Sequence, residues 1–260
     1  MKKKMRFISI LSVLISTPFL YSVTDINKIL YKRYINSFSL KVSGKISGST
    51  GNIVKENLKE DLSLIYTVFD QNNPSLIKRS FFLIGKEKRD KNAGVLSDES
   101  RMVHLRAQEK IRKDLYASVF AQINVNPFTR LKSRGLLGLG STLKVYEDSK
   151  SRFFVNAMFM SEQEEIDDDP VKSDVYRASL AAYFDWNYSE NLILDHSLYV
   201  QPDISNYDSD YRIFSKLSLE IKINESSSVI TYYKVEYDSL PPEGVEKTDQ
   251  KIESKYVFSL

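Results

Sequence analysis

Cysteine is absent from the 260 residues, which excludes disulfides, thiolate metal ligands and a lipid-modified N-terminal cysteine. Histidine occurs only twice, at His104 and His196, and tryptophan once, at Trp186. No zinc-ligand spacing, glycine-rich phosphate loop or nucleophile elbow is present. Neither a metal nor a cofactor is therefore expected. Beyond Leu20 no apolar run is long enough to cross a bilayer as a helix. Any membrane insertion has to be by a closed barrel, because an open sheet leaves backbone groups unpaired in lipid.

A charge excess of either sign is also missing. The chain carries 37 Lys and Arg against 34 Asp and Glu. Four of the basic residues (Lys2, Lys3, Lys4, Arg6) open the chain with no acid among them, leaving 33 against 34. No nucleic-acid partner is inferred from such a balance. The basic start precedes an apolar run from Phe7 to Leu20, broken at Pro18, with the small residue Ser22 after it. Residues 1–22 read as a secretory signal peptide; a retained anchor helix is the competing reading. Residues 23–36 hold Ile26, Ile29, Leu30 and Arg33 at helical spacing behind Thr24 or Asp25 as N-cap. They read either as a short helix under or inside a barrel mouth, or as an unstructured lead-in.

What the chain has in quantity is period-two alternation. Residues 37–260 read as an all-β, transmembrane, antiparallel up-and-down β-barrel of about twelve strands. Phe38, Leu40, Val42 and Ile46 alternate with Ser39, Lys41, Ser43, Lys45 and Ser47. Leu115–Asn124 repeats the pattern, and Leu131–Tyr146 adds Gly135, Gly138 and Gly140, which in a strand signal a bend or close packing. Tyr176–Tyr188 is aromatic at both ends of one face and aliphatic between them. Rings favour the two membrane interfaces, so that face reads as lipid-facing. Val229–Tyr237 and Ile252–Leu260 form a closing hairpin around Pro-Pro-Glu-Gly.

These phases place Tyr176, Phe184, Trp186, Tyr188, Tyr211, Tyr237, Tyr256 and Phe258 at the membrane interfaces. They turn Arg177, Asp185, Asp195, Arg212, Lys216, Glu220, Lys222, Lys234, Glu236, Lys251, Glu253 and Lys255 to the lumen, where opposite signs can pair. Alternate junctions are short (70–75, 112–114, 147–151, 189–191, 224–226), whereas 86–99, 162–173, 202–210 and 238–248 read as longer polar loops. That asymmetry is the one between periplasmic turns and outer loops, with both termini on the short-turn side. The partners expected are outer-membrane lipid, the barrel-assembly machinery at the C-terminal strand, and small ions or solutes in the lumen. A soluble β-sandwich is the alternative, but it leaves the leader, the aromatic strand ends and the terminal strand unexplained.

Several short stretches carry a family likeness: Ser43-Gly44 and Gly51-Asn52; Arg134 with Gly135, Gly138 and Gly140; Asp210-Tyr211-Arg212; and Tyr237–Asp249. With them, the chain from about Leu40 to Leu260 resembles the YdiY-like salt-induced outer-membrane proteins, domain-of-unknown-function family 481. The resemblance implies an outer-membrane β-barrel, responsive to osmotic conditions, in the bacterial outer membrane. Such barrels usually end in Phe; here Leu260 is last and Phe258 lies two before it, in the same apolar phase.

Catalytic chemistry has little to stand on. His196 and Ser215 both fall outward, as in a lipid-facing phospholipase pair, yet no outward acid or amide is placed to orient the imidazole. No catalytic residue is assigned. His104 falls inward beside Arg106 and Gln108 as a hydrogen-bonding residue of the lumen. The acidic run Glu162–Asp169 lacks EF-hand spacing and reads as a solvated loop. The expected function is a passive envelope or narrow-pore role with a charged lumen; the alternative is an outer-membrane enzyme (ester hydrolysis) or a receptor using the outer loops.

Overall fold

The computed structural model describes residues 23, 25–31, 37–50, 54–71, 77–127, 130–166, 173–224 and 227–258. The side chains of Ser43, Lys45, Ser47, Ser173, Lys255, Val257 and Phe258 lie outside that description, as do residues 1–22, Thr24, Arg33 and Leu260. The leader, the Lys255 lumen position and the Phe258 interface position therefore lie outside the described residues.

Alternation dictates strands, and strands joined by short turns dictate neighbours. Among the described residues twelve strands follow one another: β1 (Phe38–Ser49), β2 (Lys55–Phe69), β3 (Ile77–Asn92), β4 (Val95–Arg112), β5 (Leu115–Asn126) and β6 (Leu131–Glu147). Then come β7 (Ser151–Ile166), β8 (Ser173–Ser189), β9 (Leu192–Pro202), β10 (Tyr211–Asn224), β11 (Ser227–Asp238) and β12 (Thr248–Phe258). They form one sheet in sequence order with every neighbour antiparallel, an up-and-down meander. The sheet curls far enough that Lys59 of β2 comes within 3.8 Å of Glu253 of β12. Among the described residues no ladder joins β1 to β12, so the curl is open at that seam.

Two stretches expected as loop carry strand, one throughout but for its turn and one over its first five residues. Lys86–Glu99 belongs to β3 and β4, which meet at a two-residue turn with Ala93 at φ 50° and Gly94 at φ 78°. Left-handed backbone at both turn positions matches the twist of a tight hairpin. Charge on both faces hides this segment from a period-two search. Across the two strands Lys88 forms an ion pair with Asp98, and Arg89 reaches Glu99 at 3.4 Å. Glu162 and Glu164 likewise extend β7, and they point inward. The solvated acidic loop is thereby corrected; its Asp167, Asp168 and Asp169 lie outside the described residues.

The turn after β6 shows how the short junctions are held. Asp148 accepts from the Tyr146 hydroxyl at 2.7 Å and from the backbone N–H groups of Ser151 and Lys150. These bonds hold its carboxyl below the usual carboxylate range.

Faces are sorted in the opposite sense to a soluble protein. Val42, Ile46, Val119, Ile123, Leu137, Leu139, Leu180 and Ile252 are exposed, Ile46 to 85%. Ser118, Gln122, Asn124, Asn156, Arg177 and Arg212 are buried, Arg177 to 2% exposure. Within this polar interior sits a smaller apolar plug. The single-turn helix α1 (Asn27–Leu30) places Ile26, Leu30 and Tyr31 against Ile65, Phe82, Ile84, Met102, Phe154 and Tyr183 of the wall. Within residues 23–36 the described part is this one helical turn, packed on the inner face of the sheet; Thr24 and residues 32–36 lie outside the described residues. The helix N-cap is Ile26 rather than Thr24 or Asp25, and Asp25 Oδ1 accepts from the Asn27 backbone N–H at 3.2 Å. No helix among the described residues is long and apolar enough to cross a membrane.

Candidate functional site

Two sets of polar contacts in the interior stand out among the described residues, one toward the long-loop end and one around the N-terminal segment. At the long-loop end Glu162, 2% exposed, stands among three arginines. Arg212 Nη1 donates to both of its carboxylate oxygens at 2.9 and 2.7 Å, and Arg177 Nε donates to Oε1 at 3.2 Å. Arg134 Nε lies 3.9 Å from Oε2 and donates to Glu164 at 3.1 Å. Arg177 makes a forked pair with Asp210 at 2.8 and 2.9 Å, and Arg212 Nε donates to Asp238 at 2.8 Å. Because Arg212 is on β10 and Glu162 on β7, the network spans the inner face of the curled sheet rather than following one ladder. Such charges are tolerable out of bulk water only because each has opposite charge and hydrogen bonds around it.

The family model for proteins of unknown function, DUF481, matches residues 46–259. The chain belongs to that family. Several of the stretches that carried the sequence resemblance meet in this one cluster: Arg134, Asp210 with Arg212, and Asp238. No curated protein matches the sequence. Among solved structures, the NanC porin in a rhombohedral crystal form superposes with a TM-score of 0.47 at 10% identity, over 85% of this chain and 100% of that one. The KdgM porin superposes with 0.38 at 11%, over 79% and 96%. Similarity at that level says nothing of what this DUF481 chain binds or passes.

The second set holds the N-terminal segment. Lys28 Nζ lies 2.8 Å from Asp195 on β9, and Lys216 on β10 lies 3.3 Å from Asp25. Lys86 on β3 donates to the Asp25 carbonyl at 3.1 Å, and Arg152 on β7 donates to the Tyr31 carbonyl. The Tyr31 ring stacks on Phe154 with centroids 4.3 Å apart. Four strands from different parts of the sheet thus grip one short segment. Beside it remains a cavity of about 310 Å³, lined by Asp25, Lys86, Lys216, Tyr232, Lys234 and Glu236 among others.

The sequence-predicted interior residues distribute as follows. Arg177, Asp185, Asp195, Arg212 and Glu236 are buried; Lys216, Lys234, Lys251 and Glu253 line the cavity. Asp185 pairs with Arg152 at 2.6 Å, and Lys234 with Glu236. Glu220 keeps the inward phase but is half-buried, and Lys222, near the end of β10, is exposed. Of the expected interface rings, Tyr176, Trp186, Tyr188 and Tyr256 are exposed, whereas Phe184, Tyr211 and Tyr237 are half-buried. Tyr211 and Tyr237 lean on each other with centroids 5.5 Å apart. The structure adds Glu162, Glu164, Arg134 and Asp25, which the lumen assignment from sequence lacked. Arg134 was visible as part of a motif, but the glutamates were hidden by a run of acids that resembles a loop.

Elsewhere the two histidines have ordinary partners. His104 Nδ1 bonds the Gln122 side-chain oxygen at 2.8 Å within the buried interior, not Arg106 or Gln108, its neighbours along the face. On the outer wall His196 Nε2 and Ser215 Oγ are 3.0 Å apart.

Proposed function

We propose that this chain is a bacterial outer-membrane β-barrel with a narrow, charged lumen, obstructed by its own residues 25–31 and passing small ions or solutes poorly. The reversal of faces supports this most directly: a continuous apolar exterior around a buried ionic interior suits hydrocarbon outside and water within. In this reading residues 1–22 direct export, the exposed rings Tyr176, Trp186, Tyr188 and Tyr256 sit at lipid headgroups, and the assembly machinery reads the last strand. The edges of β1 and β12 have to meet in lipid, since each unsatisfied backbone group there costs several kcal/mol. A link to external salt rests on the family resemblance alone.

Planar-bilayer recording of the purified full chain tests the proposal. Insertion with a small, steady conductance is expected. A product found dissolved in periplasmic extract, without affinity for lipid, would sink it.

The His196–Ser215 contact favours a second reading, an esterase acting on membrane lipid from the outer wall. Its weakness is that His196 has no carboxylate or amide on its other ring nitrogen among the described residues. Vesicles carrying the protein are expected to release no fatty acid, and His196→Ala to change nothing.

A further inference from the structure

The N-terminal segment brings a single carboxylate into the interior, that of Asp25, and the wall meets it with lysines. Lys216 Nζ is 3.3 Å from Asp25 Oδ2. Lys86 donates to the Asp25 backbone carbonyl and, among the described residues, has no carboxylate within bonding distance. Asp25, Asp61, Lys216 and Lys234 line the same cavity as Lys86. Lys234 is itself bonded to Glu236, and Lys216 lies over the Tyr232 ring at 5.4 Å. Like charges crowded in a partly desolvated space repel strongly, and an anion among them relieves that repulsion. Here Asp25 plays that part.

Room for a different anion adjoins the carboxylate. The cavity of about 310 Å³ shares Asp25, Lys86, Lys216 and Lys234 as lining. Among the described residues seven basic and five acidic side chains surround it, and Asp25 is one of the five. Moved away, it leaves seven against four. Other ties to the segment are Lys28 to Asp195, Arg152 to the Tyr31 carbonyl, and the packing of Ile26, Leu30 and Tyr31 against the wall.

We infer that Lys86 and Lys216, with Lys234 beside them, form an anion-binding site that Asp25 fills from within the chain, and that a small dianion such as phosphate taking its place loosens residues 25–31. The inference rests on the channel reading above and deepens it. The segment becomes a tethered internal competitor, held near its site at high effective concentration. A free anion displaces it only by making more of the lysines than one carboxylate does, which a dianionic phosphate can.

Planar-bilayer recording of full-length variants in a potassium chloride gradient tests this. Asp25→Asn is expected to raise single-channel conductance severalfold and to move the reversal potential toward anion preference, while Asp25→Glu stays near the native values. Adding Lys86→Gln and Lys216→Gln to Asp25→Asn keeps the raised conductance but removes the anion preference. Native conductance and selectivity in an inserted Asp25→Asn channel would overturn the inference, as would an anion preference that survives loss of both lysines. Failure of the native chain to insert would instead strike the channel reading beneath it. Should Asp25→Asn not fold, amide hydrogen exchange of the native protein in lipid decides. Inorganic phosphate at constant ionic strength is expected to speed exchange across residues 25–31, and unchanged exchange overturns the site.

Discussion

Arg212 on β10 reaches across the interior to Glu162 on β7, closing two hydrogen bonds of 2.9 and 2.7 Å on one carboxylate. Two further arginines share that carboxylate, so its charge is what allows three guanidinium groups to stand together. Glu162→Gln keeps the shape and removes the charge. Breaking a buried pair by removing one partner costs about 3–5 kcal/mol. The urea midpoint for unfolding from lipid vesicles is expected to fall accordingly. An unchanged midpoint would mean that the arginines are neutralised by Asp210, Asp238 and Glu164 alone.

The outer wall can be probed with a charge at two depths on β8. Leu180 lies in the aliphatic middle of the exposed face and Tyr188 at its end. An arginine at a lipid-facing midplane position costs roughly 2–4 kcal/mol, falling to roughly 0–1 near the interface. Leu180→Arg is therefore expected to destabilise the protein in lipid much more than Tyr188→Arg. Equal and negligible effects at both positions would identify that face as solvated.

The three glycines of β6 are not equivalent. A Cβ on Gly140 would come within 2.2 Å of the Ala157 backbone oxygen, and one on Gly138 within 2.3 Å of the Phe120 ring. One on Gly135 meets nothing within 4 Å. Overpacking costs about 1–3 kcal/mol where neighbours resist. The expected order of destabilisation is Gly140→Ala, then Gly138→Ala, with Gly135→Ala neutral or stabilising. Phe120→Leu should relieve Gly138→Ala, because that obstacle is a side chain, and leave Gly140→Ala unrelieved.

The seam between β1 and β12 can be tested in a chain with no native cysteine to interfere. Leu40→Cys combined in turn with Ile252→Cys, Ser254→Cys or Tyr256→Cys places both thiols on exposed positions of the two strands. Disulfides need Cα atoms about 4.4–6.8 Å apart, so one pairing should cross-link far faster than the others in lipid if the strands adjoin there. Absence of any cross-link would leave the sheet open in the membrane, contrary to the barrel reading.

Much of this architecture was legible because a strand has a side-chain period of two. The faces of β5, β8 and β10 could be assigned from Leu115–Asn124, Tyr176–Tyr188 and Tyr211–Ile223 without knowing any neighbour. Where both faces are polar, as in Lys86–Glu99, hydropathy carries no period and strand resembles loop. The acidic run at Glu162 failed for a related reason. Its counter-charges Arg134, Arg177 and Arg212 lie on three other strands, so nothing local marks it as buried.

The sequence by itself determined an all-β meander of about twelve strands and the inward phase of its cleanest ones, β5, β8 and β10, since these follow from local alternation and short turns. Only the tertiary structure decided that Arg212 meets Glu162 across the interior. It likewise decided that Asp25 lies among the lysines of the wall, and that Tyr31 finds Phe154. Such contacts depend on register, curl and the path of a segment far away in the chain. Coulomb attraction and ring stacking act over a few ångströms of space, whatever the separation in sequence.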